Sequence, residues 1–202
     1  MIIGISLNEV LRAFIPQFGY VHDKYYGPIN FNEQPVTDFN LLNHPQVKLK
    51  TKDELNSFLY SEASLEIFGH ADQMYENIMT HFNMFLLDVE DEEKHNIEIV
   101  SREVHKSIPA TLFFLSKLSC RAPKISFVKQ YIDKWNNIDV LITANPIALE
   151  NKPSGKVSIK VKAPYNTNSP SDFEIDSLID FMKNEELRNK ILNTKITSYE
   201  EI

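Results

Sequence analysis

Two short polar side chains, Ser6 and Asn8, interrupt the apolar N-terminal run Met1-Ile-Ile-Gly-Ile-Ser-Leu-Asn-Glu-Val-Leu-Arg12. The run is long and β-branched enough for a strand covered on both faces, so the polar pair falls at its carboxyl end, where parallel sheets place their ligands. A serine hydroxyl attacks only with a base beside it, and no histidine lies near Ser6 in sequence. Asn8 can neither take nor give a proton. The nearest carboxylates are Glu9, whose position beyond Asn8 suits a helix-capping or surface role, and Asp139, which opens its own strand at the wrong end. Further along, Ser101 closes a second strand, Lys129 follows a third, and Thr143 and Ala144 close a fourth.

Other chemistries find little support. The histidines (His22, His44, His70, His81, His95 and His105) show no metal-ligand spacing, and no glycine-rich phosphate loop is present. Residues 88–94 form an acidic run, but contiguous carboxylates point in different directions, so a solvated loop is expected there rather than a metal site. The single cysteine, Cys120, excludes an internal disulfide and lies in an apolar, helical-looking run, as a structural thiol would. A formal charge of -7 argues against direct nucleic-acid binding. The densest basic stretch, Lys152, Lys156, Lys160 and Lys162, alternates with Val157, Ile159 and Val161 and is expected to be a solvated strand face. No apolar stretch approaches the ~18 residues of a membrane span, and the N-terminal run lacks the basic start of a signal peptide. An intracellular location and no membrane contact are expected.

The elements that must position these residues alternate. Strands are expected at the N-terminus and over residues 96–101, 124–128, 139–146 and 156–161, with helical segments between them, which makes an α/β fold with a mostly parallel, Rossmann-like sheet. Between the first and second strands, Leu55, Phe58, Leu59, Leu65, Phe68, Ile78, Phe82 and Phe85 recur at helical spacing. A short helix is expected after Arg12, limited by Pro16 and Gly19, and no regular element over 29–57. The Ser171-x-x-Glu174 pattern is expected to open a C-terminal helix with Ile175, Leu178, Met182 and Ile191 on one face. That face could pack on the sheet or supply contact surface.

The order of these motifs resembles the haloacid dehalogenase (HAD) superfamily, in particular its phage-type 5'-(deoxy)nucleotidases. Motif I lies at residues 5–11, motif II at Ser101, motif III at Lys129 and motif IV at residues 141–146. The resemblance implies a core from residues 1–14 and 76–202 with a helical cap inserted over 15–75. It also implies phosphoryl transfer by two motif I aspartates, with motif IV acids helping to hold Mg²⁺. Here the reacting positions carry Ser6, Asn8, Thr143 and Ala144, so neither a catalytic residue nor a metal site is expected; vestigial phosphate binding by Ser101 and Lys129 remains. Neutral oxygens do not offset the dehydration of so hard a cation.

The expectation is therefore a catalytically inactive HAD-like protein with no cofactor, serving as a structural or interaction component. It would be phage-encoded and virion-associated, or in the host cytoplasm, with protein partners or self-assembly. Two alternatives are a nucleotide- or phosphate-binding module without turnover and a weak residual 5'-nucleotidase.

Overall fold

A computed structural model describes residues 1–91 and 95–197. Six parallel strands form one sheet: β1 (Ile2–Ile5), β2 (Asn96–Arg102), β3 (Ile125–Val128), β4 (Val140–Thr143), β5 (Val157–Val161) and β6 (Phe173–Ile175). Their order is β3-β2-β1-β4-β5-β6, so the chain steps outward on one side of β1 and then outward on the other. The reversal falls between β1 and β4, with Ile5 opposite Ile142. In open α/β sheets that switch point, beyond the carboxyl ends of the strands, is where ligands bind. The expected α/β class and mostly parallel sheet are what the molecule has.

The helices are α1 (Phe14–Tyr26), α2 (Lys52–Ser57), α3 (Ile78–Asp91), α4 (Ser107–Lys117), α5 (Pro146–Glu150), α6 (Leu178–Lys183) and α7 (Glu185–Thr197). One apolar cluster lies against the sheet, where Ile3, Ile5, Ile99 and Ile142 meet Phe82, Phe114 and Phe181. A second, built from Phe18, Val21, Phe58, Ile67 and Phe68, belongs mainly to the segment between β1 and α3. Pro16 does not shorten α1 as expected, because it stands in the first turn, where its missing N–H removes no intrahelical bond. At Gly19 a Cβ would meet the Phe31 ring at 2.9 Å, so glycine lets the loop pack on the helix.

Two other expectations need correction. Ser171-x-x-Glu174 opens no helix: Phe173 and Glu174 pair with Ile159 and Lys160 as the edge of the sheet, and tertiary pairing overrides the local capping signal. The helix starts later, where Asp180 accepts from the Ser177 N–H at 2.8 Å. Lys160 is not solvated; it is 3% exposed, pairs with Glu174 at 2.7 Å and donates to the Ser169 carbonyl. The C-terminal apolar face is spent internally, since Ile175, Leu178, Phe181, Met182 and Ile191 all join the sheet-side core. Of the acidic run, residues 88–91 end α3, and 92–94 lie outside the described residues. Among the described residues no helix is long and apolar enough to cross a membrane.

Candidate functional site

The turn after β1 is held by its own backbone. The Leu7 carbonyl accepts from the Leu11 and Arg12 N–H groups, and the Glu9 N–H donates to the Arg12 carbonyl at 2.8 Å. Closing that loop puts Glu9 at φ 58°, a left-handed conformation that costs a non-glycine residue energy. The Glu9 carboxylate accepts from the Ile15 N–H at 2.7 Å, in the first turn of α1. The helix-capping role expected of Glu9 is present, but its side chain is buried, not on the surface.

Burial drives the Glu9 carboxyl up to about 7, against the lowering effects of the Ile15 and Phe14 N–H groups and the Arg12 charge. The folded pKa exceeds the unfolded one, so the stability contribution is complete below 4.5 and is lost as pH rises towards 7. By linkage the loss is roughly 3 kcal/mol. Glu9→Gln is expected to remove this slope: chemical denaturation across that window should show wild-type stability falling towards the variant's, whose own curve is flatter.

Ser6 directly follows β1 and is 1% exposed. Its Oγ donates to Thr143 Oγ1 at 2.8 Å, and Thr143 Oγ1 also accepts from the Asn145 N–H. The group that donates to Ser6 Oγ is Lys134 Nζ, at 3.0 Å. Lys134 comes from a 3₁₀ turn, Ile132–Trp135, between β3 and β4. Burial pulls its pKa down to about 8, with Arg12 adding to the drop and Glu103 opposing it.

Lys134 is a second lysine at the site, beside the expected Lys129. Lys129 follows β3 and lines the same cavity, but it is exposed, and the amine that reaches Ser6 is Lys134's. Ser101 is buried at the end of β2 and donates to Glu103 Oε1 at 3.0 Å. Ala144 carries no side-chain chemistry, and its carbonyl accepts from Asn166. Asn8, expected as a relic of a proton-transfer pair, accepts through Oδ1 from Arg12 Nε at 2.9 Å and Nη2 at 2.6 Å.

Beneath the site lies a buried ion pair. Arg12 is wholly buried, pairs with Glu103 at 2.6 Å and also donates to Thr111 and the Phe68 carbonyl. Glu103 Oε2 has no hydrogen-bond partner among the described residues, although it is buried.

Sequence reasoning misses Lys134, Glu103 and Arg12. Lys134 has no periodic signal, because it stands in a 3₁₀ turn. Glu103 has one: at strand period it shares a face with Ser101.

Above the strand ends a cavity of about 640 Å³ opens between the sheet and the segment that follows β1. Asn8, Glu9, Ser101, Arg102, Lys134 and Asn145 line its polar side, and Phe14, Phe39, Tyr60, Phe68, Tyr131 and Tyr165 its aromatic side. Arg102 bridges the two. Its guanidinium lies 5.0 Å from the Tyr60 ring centre and 5.3 Å from that of Tyr131, and it donates to the Tyr60 hydroxyl.

The residues present do not fit the Mg²⁺ that the resemblance implies. Ser6, Asn8 and Thr143 are neutral, Asn8 already serves Arg12, and the Lys134 ammonium stands where a cation would have to bind. Among the described residues no group of three or more His, Cys, Asp or Glu could hold a metal ion.

No protein-family model matches the sequence, and no curated protein matches it either. Solved structures do. A haloacid dehalogenase-like hydrolase from Burkholderia xenovorans LB400 superposes with a TM-score of 0.56 over 92% of this chain and 96% of its own, at 8% identity. A dehalogenase solved with an intermediate complex gives a TM-score of 0.48 over 89% of this chain and 94% of its own, at 9% identity.

The expectation that the chain is not an enzyme meets a contrary finding: the solved structure that the chain follows over nearly its whole length is that of a haloacid dehalogenase-like hydrolase. The physical basis of that expectation is also too narrow. Burial brings the pKa values of two ionisable groups at the site, Lys134 and Glu9, to about 8 and about 7. The chain has the fold of the haloacid dehalogenase-like hydrolases.

Proposed function

We propose that the protein is a hydrolase of a small organic anion, bound between the sheet and the helical segment after β1. The observation that carries this reading is the cavity's polarity. Arg102, Lys129 and Lys134 line it together with aromatic side chains, and the one carboxylate among the residues lining it, Glu9, is half neutral near pH 7. At about 640 Å³ it matches a small molecule rather than a macromolecule. The charged end of the ligand meets Arg102 and Lys129, and its flat or apolar body lies on Tyr60, Tyr131 and Phe14. A nucleoside monophosphate has this form, and the resemblance to the nucleotidase branch favours it; an aryl carboxylate has the same form.

Titration calorimetry with deoxynucleoside monophosphates and with aryl carboxylates tests the reading. Binding of either class is expected, weakened about tenfold or more by Arg102→Met, a loss of about 1.4 kcal/mol or more. Absence of heat with both classes at millimolar concentration would refute it.

A further inference from the structure

Ser6 stands where the HAD pattern has its attacking aspartate, and Lys134 Nζ lies 3.0 Å from its Oγ. An aspartate there would keep the lysine charged as an ion pair. A serine leaves the ammonium buried without that partner, and a buried ammonium gives up its proton more readily. One substitution thus removes a charged nucleophile and creates a base beside the hydroxyl that replaces it.

We propose that Ser6 is a nucleophile with Lys134 as its general base, and that the electrophile is the acyl carbon of a carboxylic ester that carries a separate anionic group. The inference rests on the anion-binding hydrolase reading above and deepens it. Its geometry is that of a nucleophile, a base within hydrogen-bond reach and a group that orients them. In the resting arrangement protonated Lys134 donates to Ser6 Oγ while the Ser6 hydroxyl donates to Thr143 Oγ1, itself fixed by the Asn145 N–H; attack requires Lys134 to lose its proton and the hydroxyl to turn from Thr143 to Nζ. Glu103 acts electrostatically on Lys134 and favours the ammonium that forms when the proton moves.

An acyl carbon suits the site better than a phosphorus. A phosphomonoester dianion repels an incoming alkoxide, and the neutral oxygens around Ser6 hold no hard cation to offset that repulsion. An ester carbonyl is uncharged, and the substrate's anionic group can sit away from the reaction, against Arg102 and Lys129.

In the first half-reaction, neutral Lys134 takes the Ser6 proton as Oγ bonds to the acyl carbon. The tetrahedral adduct then collapses, its ester C–O bond breaks, and Lys134 returns that proton to the departing alkoxide, which leaves as the alcohol. In the second, Lys134 takes a proton from water as the water oxygen attacks the acyl-serine. The bond to Oγ breaks, Oγ recovers the proton from Lys134, and the carboxylic acid leaves. Ser6 is 1% exposed, while Asn8, Ser101, Lys134 and Asn145 near it line the cavity. Attack therefore requires the Lys134 stem to shift as the ester enters, and the test includes access.

The full-length protein is treated with an alkyl fluorophosphonate and the modified peptide is located by mass spectrometry. Labelling is expected at Ser6, absent in Ser6→Ala, with a rate that rises with pH about a midpoint near 8. In Lys134→Met the rate falls about a hundredfold, the lower end of what a general base contributes.

Ser6→Cys supplies a readout free of ester chemistry. Its thiol, beside the Lys134 ammonium, is expected to ionise below the ordinary cysteine range and to be alkylated by iodoacetamide faster than Cys120, whose thiol burial pushes up. Adding Lys134→Met is expected to reverse that.

No label at Ser6, together with an inert thiol in the Ser6→Cys variant, would overturn the dyad. So would a labelling rate indifferent to Lys134. If calorimetry still shows anion binding, the dyad fails and the hydrolase reading stands. Labelling without anion binding fails the choice of substrate instead.

Discussion

Arg12→Met is expected to destabilise the protein by about 3–5 kcal/mol, the range for breaking a buried ion pair from one side. The side chain is 0% exposed and joins the turn after β1 to the elements around it. It donates to Asn8, to Thr111 on α4, to the Phe68 carbonyl and to Glu103, and its guanidinium lies 5.0 Å from the Phe68 ring centre. Methionine fills much of the volume but leaves the Glu103 carboxylate buried with only the Ser101 hydroxyl on Oε1 and nothing on Oε2. The remaining compensation for Glu103 is Lys134, the residue whose availability as a base the site depends on. Arg12→Met should therefore raise the lysine's pKa as well, since one cation that repelled it is gone and the carboxylate is freer to hold it charged. Urea denaturation reads the first effect. The second appears as a higher pH midpoint for Ser6 labelling, measured below the urea transition. A variant of wild-type stability would mean that the Arg12 pair contributes nothing net.

The parts of this arrangement that can be read from sequence are those set by a periodic pattern. The run through Ile5, the alternation over residues 96–101 and the run ending at Thr143 each announce a strand, and placing a polar residue at each carboxyl end is enough to bring Ser6, Ser101 and Thr143 to one edge of the sheet. What is not legible comes from irregular backbone. Lys134 is delivered by a 3₁₀ turn, so neither a helical nor a strand period points to it, whereas Lys129, next to a recognisable strand, attracts the assignment. β6 is short and at the sheet edge, and its sequence carries a helix-start pattern that only pairing with β5 overrules. The charge state of the site is illegible for a deeper reason. Glu9 and Lys134 take their pKa values from burial, which the whole chain creates. Judged as free side chains, Ser6 lacks a base and Asn8 lacks a purpose; in the folded chain one faces an amine and the other holds Arg12.

Lys134→Met is expected to do the opposite of Arg12→Met: to stabilise the fold while abolishing its chemistry. A lysine whose pKa falls from 10.5 to about 8 in the fold carries a cost whenever it is protonated in the folded state. The folded pKa is depressed, so between about 8 and 10.5 the unfolded chain binds the proton and the folded chain does not, and stability rises with pH across that window. The integrated cost below pH 8 is roughly 3 kcal/mol. Methionine removes it and keeps most of the stem. It forfeits the bond to Ser6 Oγ and the attraction to Glu103, so the net gain should be about 1–3 kcal/mol, in line with replacements of buried charges by apolar groups. Thermal and urea unfolding at pH 7 should show the variant more stable, with the difference shrinking above pH 8. Ser6 labelling should drop about a hundredfold at the same time. A core lysine without a task would be expected to give way to an apolar residue, because stability favours the exchange. A stabilised but unreactive variant would show that the charge is kept at the end of β1 for what it does to Ser6. A destabilised variant would show instead that the ammonium is bound tightly by its surroundings, and the amine would then not be free to act as a base.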